Sequence, residues 1–384
     1  MRLAVITETF YPFEGGSSKR YLEVLKRLSK RGYEIDLYTV RLSREWKIKE
    51  NIEGINVLRT KQVMENYITR NGFRSISKVF LFSILSRMKV MQNNYDIIEV
   101  NHCPIFPVLS FWPKSGRKRP LSTTFHEVWH SQWYNYVPNP KLLYAPLGLG
   151  LEKIYVKVPD IAIAVSKTTA ERLVSLLGIN KDIVRVIPNG VDHNIFNEIN
   201  LDKDESRIIY VGRLNPHKKV EWLIEAFAIL SKEFSGLHLD IVGDGPYRRF
   251  YEEYVKKKGV SGNVTFYGKV DYRTLVMLLK RAYIYVLPSI REGQSITTLE
   301  AMAAGTPQIV VEYDGNGAAD LVRESESGII AKPFPKSIAD SIRILLEDRD
   351  LWLKFRSRGL HYVRQYDWDI AAEEYHKVYM SLLR

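Results

Sequence analysis

The sequence of 384 residues is poor in cysteine and in long apolar segments. Its single cysteine, Cys103, excludes an intramolecular disulfide and is typical of a protein kept in a reducing cytosol. No apolar run approaches the ~18–20 residues that a helix needs to cross a bilayer. The first eight residues also become polar too early for a secretory signal peptide. We therefore expect a cytoplasmic protein, with the inner face of the membrane as a candidate location.

Acidic residues are scarce in the first half of the chain. Residues 1–190 contain 29 Lys and Arg against 16 Asp and Glu, a net charge of +13, whereas residues 191–384 contain 27 against 28, a net charge of −1. A basic half attracts nucleic acid, an acidic membrane or a phosphorylated substrate, unless its charges only solvate the surface. Both interpretations stay open at this point.

Short apolar strands alternate with amphipathic helices in two successive series. Such alternation predicts parallel sheets with crossover helices, and hence two doubly wound α/β domains that bind ligands at the carboxyl ends of their strands. We expect the domains at residues 1–190 and 207–366, a polar linker at 191–206 and a C-terminal helix at 367–384. The predicted strands are 3–6, 34–40, 95–100, 121–125, 161–165 and 183–187, then 207–211, 237–242, 264–267, 283–287 and 308–311.

Residues 289–307 carry the strongest functional signal. Glu292 lies in a glycine-bearing loop after a predicted strand, and Glu300 lies on the helix that follows. The backbone N–H groups at the start of a helix bind phosphate readily, and carboxylates accept hydrogen bonds from sugar hydroxyls. The segment therefore predicts a site for a sugar attached to a phosphate.

Basic residues follow the first strand of the second predicted domain. Arg213 and Lys218 lie five positions apart across an Asn-Pro turn. An arginine can hold a diphosphate through two parallel hydrogen bonds, and a lysine adds a compact charge. Two solvated side chains are the alternative, but the position at the carboxyl end of a strand favours ligand binding.

Three further motifs lie at the ends of strands. Gly15 and Gly16 precede a helix start that suits an anion, although a tight turn has the same pattern. His126 ends a strand of the first domain and could either face a ligand or be structural. Gly243 begins a Gly-Asp-Gly-Pro turn that lacks the third glycine of a dinucleotide fingerprint.

Two Asp-X-Asp triplets, at 202–204 and 367–369, could suggest a metal site. The first lies in the predicted linker and the second at a helix start, where acids cap backbone donors, so we expect no catalytic metal. Residues 73–91 combine apolar side chains with Arg and Lys, and residues 112–119 add a basic loop. That helix could rest on an anionic membrane or simply cover the sheet.

These motifs together resemble the retaining GT-B glycosyltransferases of the glycogen-synthase-like and phosphatidylinositol-mannosyltransferase-like group (glycosyl transferases group 1, family 4). The resemblance implies two Rossmann-like domains that face each other across a cleft, with the last helix crossing back to the first domain. It assigns catalysis to His126, Arg213, Lys218 and Glu292, and the acceptor side to Ser17 and Glu127. It assigns donor binding to Gly15, Gly16, Arg213, Lys218, Gly243, Glu292, Gln294, Ser295, Ile296, Thr297 and Glu300.

The sequence departs from the common family pattern at three places. Glu127 stands where Asp is common, Gln294-Ser295-Ile296 replaces a frequent Phe-Gly-Leu, and Lys219 replaces a common Gly. None of these changes removes a charged group that the chemistry requires, but the second bears on sugar selectivity.

The resemblance implies transfer of a hexose-type sugar from a nucleotide diphosphate sugar, such as a UDP-sugar or GDP-mannose, to an acceptor hydroxyl. It implies retention of the anomeric configuration and neither a cofactor nor a metal. The acceptor would be a glycan or a lipid-linked molecule. The positive charge of the first half, rather than the resemblance, suggests peripheral contact with an anionic membrane, and we expect no nucleic acid as partner. The alternatives are a GT-B epimerase or phosphorylase, and a basic membrane- or nucleic-acid-binding protein without catalysis.

Overall fold

The computed structural model describes residues 1–13, 15–68, 74–113, 117–136 and 141–383. Glu14, Phe73 and residues 114–116, which belong to segments discussed above, lie outside the described residues. The chain forms two compact units: Met1–Pro188 with Trp368–Arg384, and Asn189–Asp367.

The first unit is built on an eight-stranded sheet within the described residues, in the order β3-β4-β2-β1-β5-β6-β7-β8. The pair β3–β4 is antiparallel, and the pairs from β4 to β8 are parallel. The strands are β1 (Arg2–Ile6), β2 (Glu34–Arg41), β3 (Lys49–Ile52), β4 (Ile55–Val63), β5 (Ile97–Asn101), β6 (Leu121–Phe125), β7 (Ile161–Ala164) and β8 (Val184–Val186). The helices are α1 (Gly16–Lys30), α2 (Ile76–Met91), α3 (Ile105–Leu109), α4 (Trp133–Tyr136), α5 (Lys141–Tyr155) and α6 (Lys167–Leu177).

The second unit has a parallel sheet of six strands among the described residues, in the order β11-β10-β9-β12-β13-β14. Its strands are β9 (Asp204–Val211), β10 (His238–Val242), β11 (Val264–Gly268), β12 (Ala282–Leu287), β13 (Gln308–Val311) and β14 (Gly328–Ala331). Its helices are α7 (His193–Glu198), α8 (Val220–Leu230), α9 (Arg248–Lys258), α10 (Tyr272–Arg281), α11 (Ile296–Ala303), α12 (Gly317–Ser325), α13 (Pro335–Glu347) and α14 (Arg349–Tyr362).

The predicted α/β class, with two doubly wound units, is confirmed. Central strands such as β5, β7 and β12 are buried along their whole length, as expected when helices cover both faces of a parallel sheet. The strand order reverses between β1 and β5 in the first sheet, and between β9 and β12 in the second. In open α/β sheets ligands bind at such switch points, beyond the carboxyl ends of the strands.

The segment 191–206, predicted as a polar linker, differs from that expectation. It contains α7 and the first residues of β9, and it belongs to the second unit. Phe196 and Ile199 are buried in the core of that unit, which gives the segment a reason to fold. Asp192 is the N-cap of α7, where its side chain accepts a hydrogen bond from the Asn194 N–H, so part of the polar signal comes from a cap.

The last helix, α15 (Trp368–Leu382), belongs to the first unit and packs against α1. Its acidic side chains meet basic ones of α1 and its C-cap: Arg27 of α1 pairs with Asp369 at 2.5 Å, and the C-cap residue Arg31 pairs with Glu373. Within the described residues, no helix combines the length and the apolar character that a membrane-spanning segment requires.

Candidate functional site

Glycines bring two loops of the second unit together at the switch point. Gly212 follows β9, and Gly243 follows β10 with a φ of +123°. A Cβ on Gly243 would overlap the carbonyl oxygen of Gly212, so the two backbones can approach this closely only without side chains. Gly245 is placed in the same way against Leu214. The predicted role of Gly243 in donor binding stays a prediction, and its visible role is to pack these loops.

Two predicted site residues meet directly in this unit. Lys218 follows β9 in a short helical turn, Glu292 follows β12, and the Lys218 Nζ donates to the Glu292 Oε1. Both side chains are largely buried, at 15% and 13% exposure, so the ion pair is poorly screened by solvent. The sheet therefore assembles a cation and a carboxylate that are 74 positions apart in the chain.

Further cations surround this pair. Burial lowers the pKa of His217 well below its usual value, and the positive charges of Arg291, Lys218 and Arg213 lower it further. His217 is thus a neutral ring among cations. Its carbonyl oxygen accepts a hydrogen bond from the Ile290 N–H at 3.0 Å, which joins the loop after β9 to the loop after β12. Arg213, two residues after β9, is an exposed residue. The arrangement provides a concentrated positive charge suited to a diphosphate.

The loop that carries Glu292 is anchored by the start of α12. Asn316 donates from Nδ2 to the carbonyl oxygens of Ser289 and Val311, at 3.0 and 2.9 Å. The Gly317 N–H donates to the Glu292 carbonyl at 2.8 Å, and a Cβ on Gly317 would overlap the Gly293 carbonyl. The Glu292 backbone is therefore held before any ligand binds, which favours precise recognition.

Hydroxyl groups organise the start of α11. Ser295 is the N-cap, and its Oγ accepts from the Thr298 N–H and contacts the Thr297 hydroxyl at 3.1 Å. Ile296 is the first residue of the helix and is nearly buried, and Glu300 is buried one turn further on. These residues lie together in one short segment, as their spacing predicted. Their contacts with a donor stay predictions.

Gln294 has a partner that the sequence did not indicate. Its Oε1 accepts from the Asn189 N–H at 2.6 Å, and its carbonyl accepts from the Asn189 Nδ2 at 3.4 Å. Asn189 is the first residue of the second unit. The side chain that replaces the common Phe therefore ties the loop after β12 to the start of the unit.

The first unit presents a glycine pair beside its own switch point. Gly15 is extended and precedes α1, and a Cβ there would have no described atom within 4 Å. Gly16 begins the helix, and Ser17 is partly exposed in its first turn. The open space beside an uncapped helix start is compatible with the predicted approach of a phosphate.

Two histidines lie side by side at the carboxyl edge of the first sheet. His126 follows β6, His102 follows β5, and their ring centroids are 5.6 Å apart. The His126 N–H donates to the His102 Nδ1 at 3.2 Å. Burial lowers the pKa of His102 to about 3 and lowers the pKa of His126 well below its usual value. The Nε2 atoms of both rings are buried and have no hydrogen-bond partner among the described residues.

A buried carboxylate lies among hydroxyl groups at the same edge. Glu99 of β5 accepts hydrogen bonds from Tyr21 at 3.1 Å, Thr124 at 2.6 Å and Tyr379 at 3.2 Å. Burial raises the pKa of Glu99, while the hydroxyl donors oppose that rise. The ring of Tyr21 in turn contacts that of His126 edge-on, at 6.2 Å. This network joins α1, β5, β6 and α15 around the histidine.

The structure thus gathers the predicted residues at two edges, one in each unit. Glu127 follows His126 and is partly exposed, as the predicted acceptor side would require. The sequence interpretation missed His102, Asn189, His217 and the Glu8–Arg74 ion pair, in which the Arg74 Nε lies 2.9 Å from the Glu8 Oε1. His102 could have been found, because it follows an apolar strand in the same way as His126.

The described residues contain no group of three or more His, Cys, Asp or Glu side chains that could hold a metal ion. One Asp of each triplet has another visible partner. Asp204 bonds Ser206 and Arg207, which together lower its pKa, and Asp369 pairs with Arg27.

Comparison with known proteins decides the family. The model of the glycosyl transferases group 1 matches residues 191–361, and the model of glycosyltransferase family 4 matches residues 14–195. The two models together support a GT-B glycosyltransferase of group 1. This confirms the resemblance that the motifs indicated, and glycosyl transfer is the activity that the family supports.

Similar proteins match this glycosyltransferase over most of its length. An uncharacterized glycosyltransferase of Methanocaldococcus jannaschii is 28% identical over 99% of this chain and 98% of its own. A phosphatidyl-myo-inositol mannosyltransferase of Mycobacterium leprae is 27% identical over 77% and 76%. The structure of a sucrose-phosphate synthase from Thermosynechococcus elongatus superposes with a TM-score of 0.81 at 22% identity, covering 99% and 98%, and shows that the fold is GT-B.

Proposed function

We propose that this protein transfers a hexose-type sugar from a nucleotide diphosphate sugar to an acceptor hydroxyl, with retention of the anomeric configuration and without a metal ion. The observation that carries the proposal is the Lys218–Glu292 pair at the switch point of the second unit. A leaving diphosphate needs cations near its developing negative charge. The hydroxyl groups of the sugar need a hydrogen-bond acceptor. The pair supplies both groups side by side.

The second unit is the donor unit in this proposal. Arg213 and Lys218 neutralise the diphosphate as it leaves, with the positive field around His217 in support. Lys218 then exchanges part of its contact with Glu292 for the phosphate oxygens, which frees a carboxylate oxygen for the sugar. Cationic side chains at these positions are the reason to propose a reaction that needs no metal.

The first unit supplies neutral groups. His126 keeps an uncharged ring because burial lowers its pKa, and its Nε2 is available for a sugar hydroxyl. The carboxylates of Glu8 and Glu99 at this edge are occupied by Arg74 and by hydroxyl donors. We therefore propose that the leaving diphosphate and the incoming hydroxyl use the same face of the sugar, rather than a covalent carboxylate intermediate.

The acceptor is a glycan or a lipid-linked molecule, bound by the basic first unit. The net charge of +13 in residues 1–190 favours a phosphorylated or membrane-borne acceptor. The relative from Mycobacterium leprae bears a name that includes a phosphatidylinositol. We place the enzyme in the cytoplasm, at the inner face of the membrane.

The test combines binding with turnover. The full-length protein is mixed with UDP-, GDP- and ADP-sugars, and the donor is the one that raises the melting temperature and is slowly hydrolysed. With an acceptor, one nucleoside diphosphate should appear per glycosylated product, in EDTA as well as without it, and NMR should show a retained anomeric configuration. An epimerase would interconvert the donor without an acceptor. Binding of RNA or anionic lipid with no response to any nucleotide sugar would overturn the proposal.

A further inference from the structure

Helix α2 exposes most of its apolar side chains and buries two of its three serines. The exposed residues are spread over about half of the helix circumference, at about 100° per residue. An ordinary sheet-covering helix has the opposite arrangement, with its most apolar stripe towards the core. The exposed apolar residues, here called the α2 face, are Ile76, Phe80, Leu81, Ile84, Leu85, Met88 and Met91.

The buried side of α2 confirms this inversion. It carries Val79, Phe82 and Val90, but also Ser83 and Ser86. The two serine hydroxyls donate to backbone carbonyls of α2 itself, at 2.7 and 3.1 Å, so they need no partner in the core. The helix is therefore apolar nearly all round, which is unusual for a helix at a protein surface.

The apolar surface continues beyond α2. Phe80 of α2 packs edge-on against Phe106 of α3, with ring centroids 6.1 Å apart. Trp112, which follows α3, is 58% exposed. Tryptophan is favoured where an apolar surface meets water, because its ring has an apolar body and a polar N–H.

One end of this surface reaches the ligand edge of the first sheet. Arg74, two residues before α2, pairs with Glu8 beyond the carboxyl end of β1. Helix α3 begins four residues after β5 ends, beside His102. An acceptor held in an apolar layer on the α2 face would thus be presented near the edge that carries the two histidines.

Basic residues predominate around this surface. Residues 74–157 contain 11 Lys and Arg against four Asp and Glu, and two of those acids, Glu99 and Glu152, are buried. Helix α2 itself has no acidic residue. Among the residues whose exposure the structure describes, the exposed cations of this region are Arg87 and Lys89 on α2, Lys118 after α3, Lys153 on α5 and Lys157 just after it.

From this arrangement we infer that the α2 face docks on an anionic lipid bilayer, with its apolar side chains in the interface and its cations at the headgroups. An anionic bilayer satisfies both features at once, since apolar burial and attraction to acidic lipids add in such helices. A second copy of the chain fits less well, because its own α2 would bring cations against cations. The docking does not depend on which nucleotide sugar is the donor.

The experiment is flotation of the full-length protein with vesicles of phosphatidylcholine, with or without phosphatidylglycerol. We expect flotation with the anionic vesicles, weakened by salt, and little with the neutral ones. The double variant Phe80→Glu/Ile84→Glu should lose at least about tenfold in vesicle affinity. Arg87→Glu and Lys89→Glu should each lose about fivefold or more, since each cation near an acidic surface contributes a factor of that order.

The matched control is Ile344→Glu/Leu353→Glu, which places the same charges at exposed apolar positions of α13 and α14 in the second unit. This control should float like the wild type, and all variants should hydrolyse the donor slowly at an unchanged rate. Equal flotation of the control and the α2 variant would overturn the inference. A dimer that the α2 variant dissociates, with no binding of the wild type to vesicles, would assign the face to a second copy instead. Donor hydrolysis separates either failure from a failure of the proposed activity.

Discussion

The two sheet edges of this glycosyltransferase use opposite electrostatics. The second unit gathers Arg213, Lys218 and Arg291 around a neutral histidine and sets one carboxylate against them. The first unit buries two neutral histidines above a carboxylate that is satisfied by hydroxyl groups. One edge therefore offers charge, and the other offers uncharged hydrogen-bonding groups in a dry environment.

The difference shows how one fold can serve two parts of a reaction. A diphosphate that accumulates negative charge is stabilised by fixed cations. A sugar, which is uncharged, is recognised by neutral donors and acceptors whose desolvation costs less than that of an ion. The same strand-end geometry supplies both edges, and only the residue types at the ends differ.

Removal of Lys218 tests the contrast between the two sheet edges at the charged edge, that of the second unit. Lys218→Ala deletes the cation that we propose for the diphosphate and leaves Glu292 without this partner in a largely buried position. We expect a loss of roughly 10²–10³ in kcat, by analogy with deletion of one donor to a developing oxyanion. Steady-state release of nucleoside diphosphate measures it.

The control for this variant is Lys256→Ala, at an exposed position of α9 in the same unit. It should keep full turnover. If Lys218→Ala kept full turnover as well, the charged edge would have no part in the chemistry, and the division between the two units would fail.

Much of this division was accessible from the sequence, because strand ends and turn glycines are local signals. Glu292 and Arg213 were each identified from their own neighbourhoods. The contact between Lys218 and Glu292 was not, since it depends on strand β9 lying next to β12. The anchoring of the Glu292 loop by Asn316 depends likewise on the tertiary fold.

The hairpin of β3 and β4 was missed for a different reason. Alternation of apolar residues starts at Ile55 and Val57, but the next inward position is Arg59. Arg59 is buried, and its Nη1 donates to Glu50 and to the Lys47 carbonyl, at 2.8 Å for the latter. A buried, paired arginine interrupts the apolar period on which a strand prediction rests.

Acidification tests the contrast at the neutral edge, that of the first unit. The pKa of His102 lies at about 3 in the folded protein, below its value near 6.5 in the unfolded chain. Below about pH 6.5 the His102 ring therefore binds a proton in the unfolded chain but stays neutral in the folded protein. The free energy of unfolding consequently falls as the pH falls towards 3. The slope from this group is at most about 1.4 kcal/mol per pH unit. Urea unfolding between pH 7 and pH 5 measures it.

His102→Gln should make the free energy of unfolding less dependent on pH, because it removes a ring that is protonated only in the unfolded chain. The amide oxygen of the glutamine can still accept from the His126 N–H. The comparison variant is His361→Gln, at an exposed position of α14. It should leave the pH dependence of the wild type unchanged. A wild-type slope that survives in His102→Gln would mean that the neutral edge does not resist protonation.

Lys219→Gly should have the smallest effect and tests where the charged edge ends. Lys219 has a φ of +51°, the left-handed conformation that explains why glycine is common at this position. Glycine relieves a strain of about 1–2 kcal/mol but loses about 0.5–1 kcal/mol to backbone entropy, so the free energy of unfolding should rise by roughly 1 kcal/mol or less. The lost contacts with Glu221 and Trp222, at 3.6 and 5.4 Å, reduce that gain. Because the Lys219 side chain is directed to these neighbours, turnover should change by less than about twofold. A twofold change corresponds to less than the ~0.5 kcal/mol that is typical of surface substitutions. A loss of turnover as large as that of Lys218→Ala would extend the diphosphate site to Lys219.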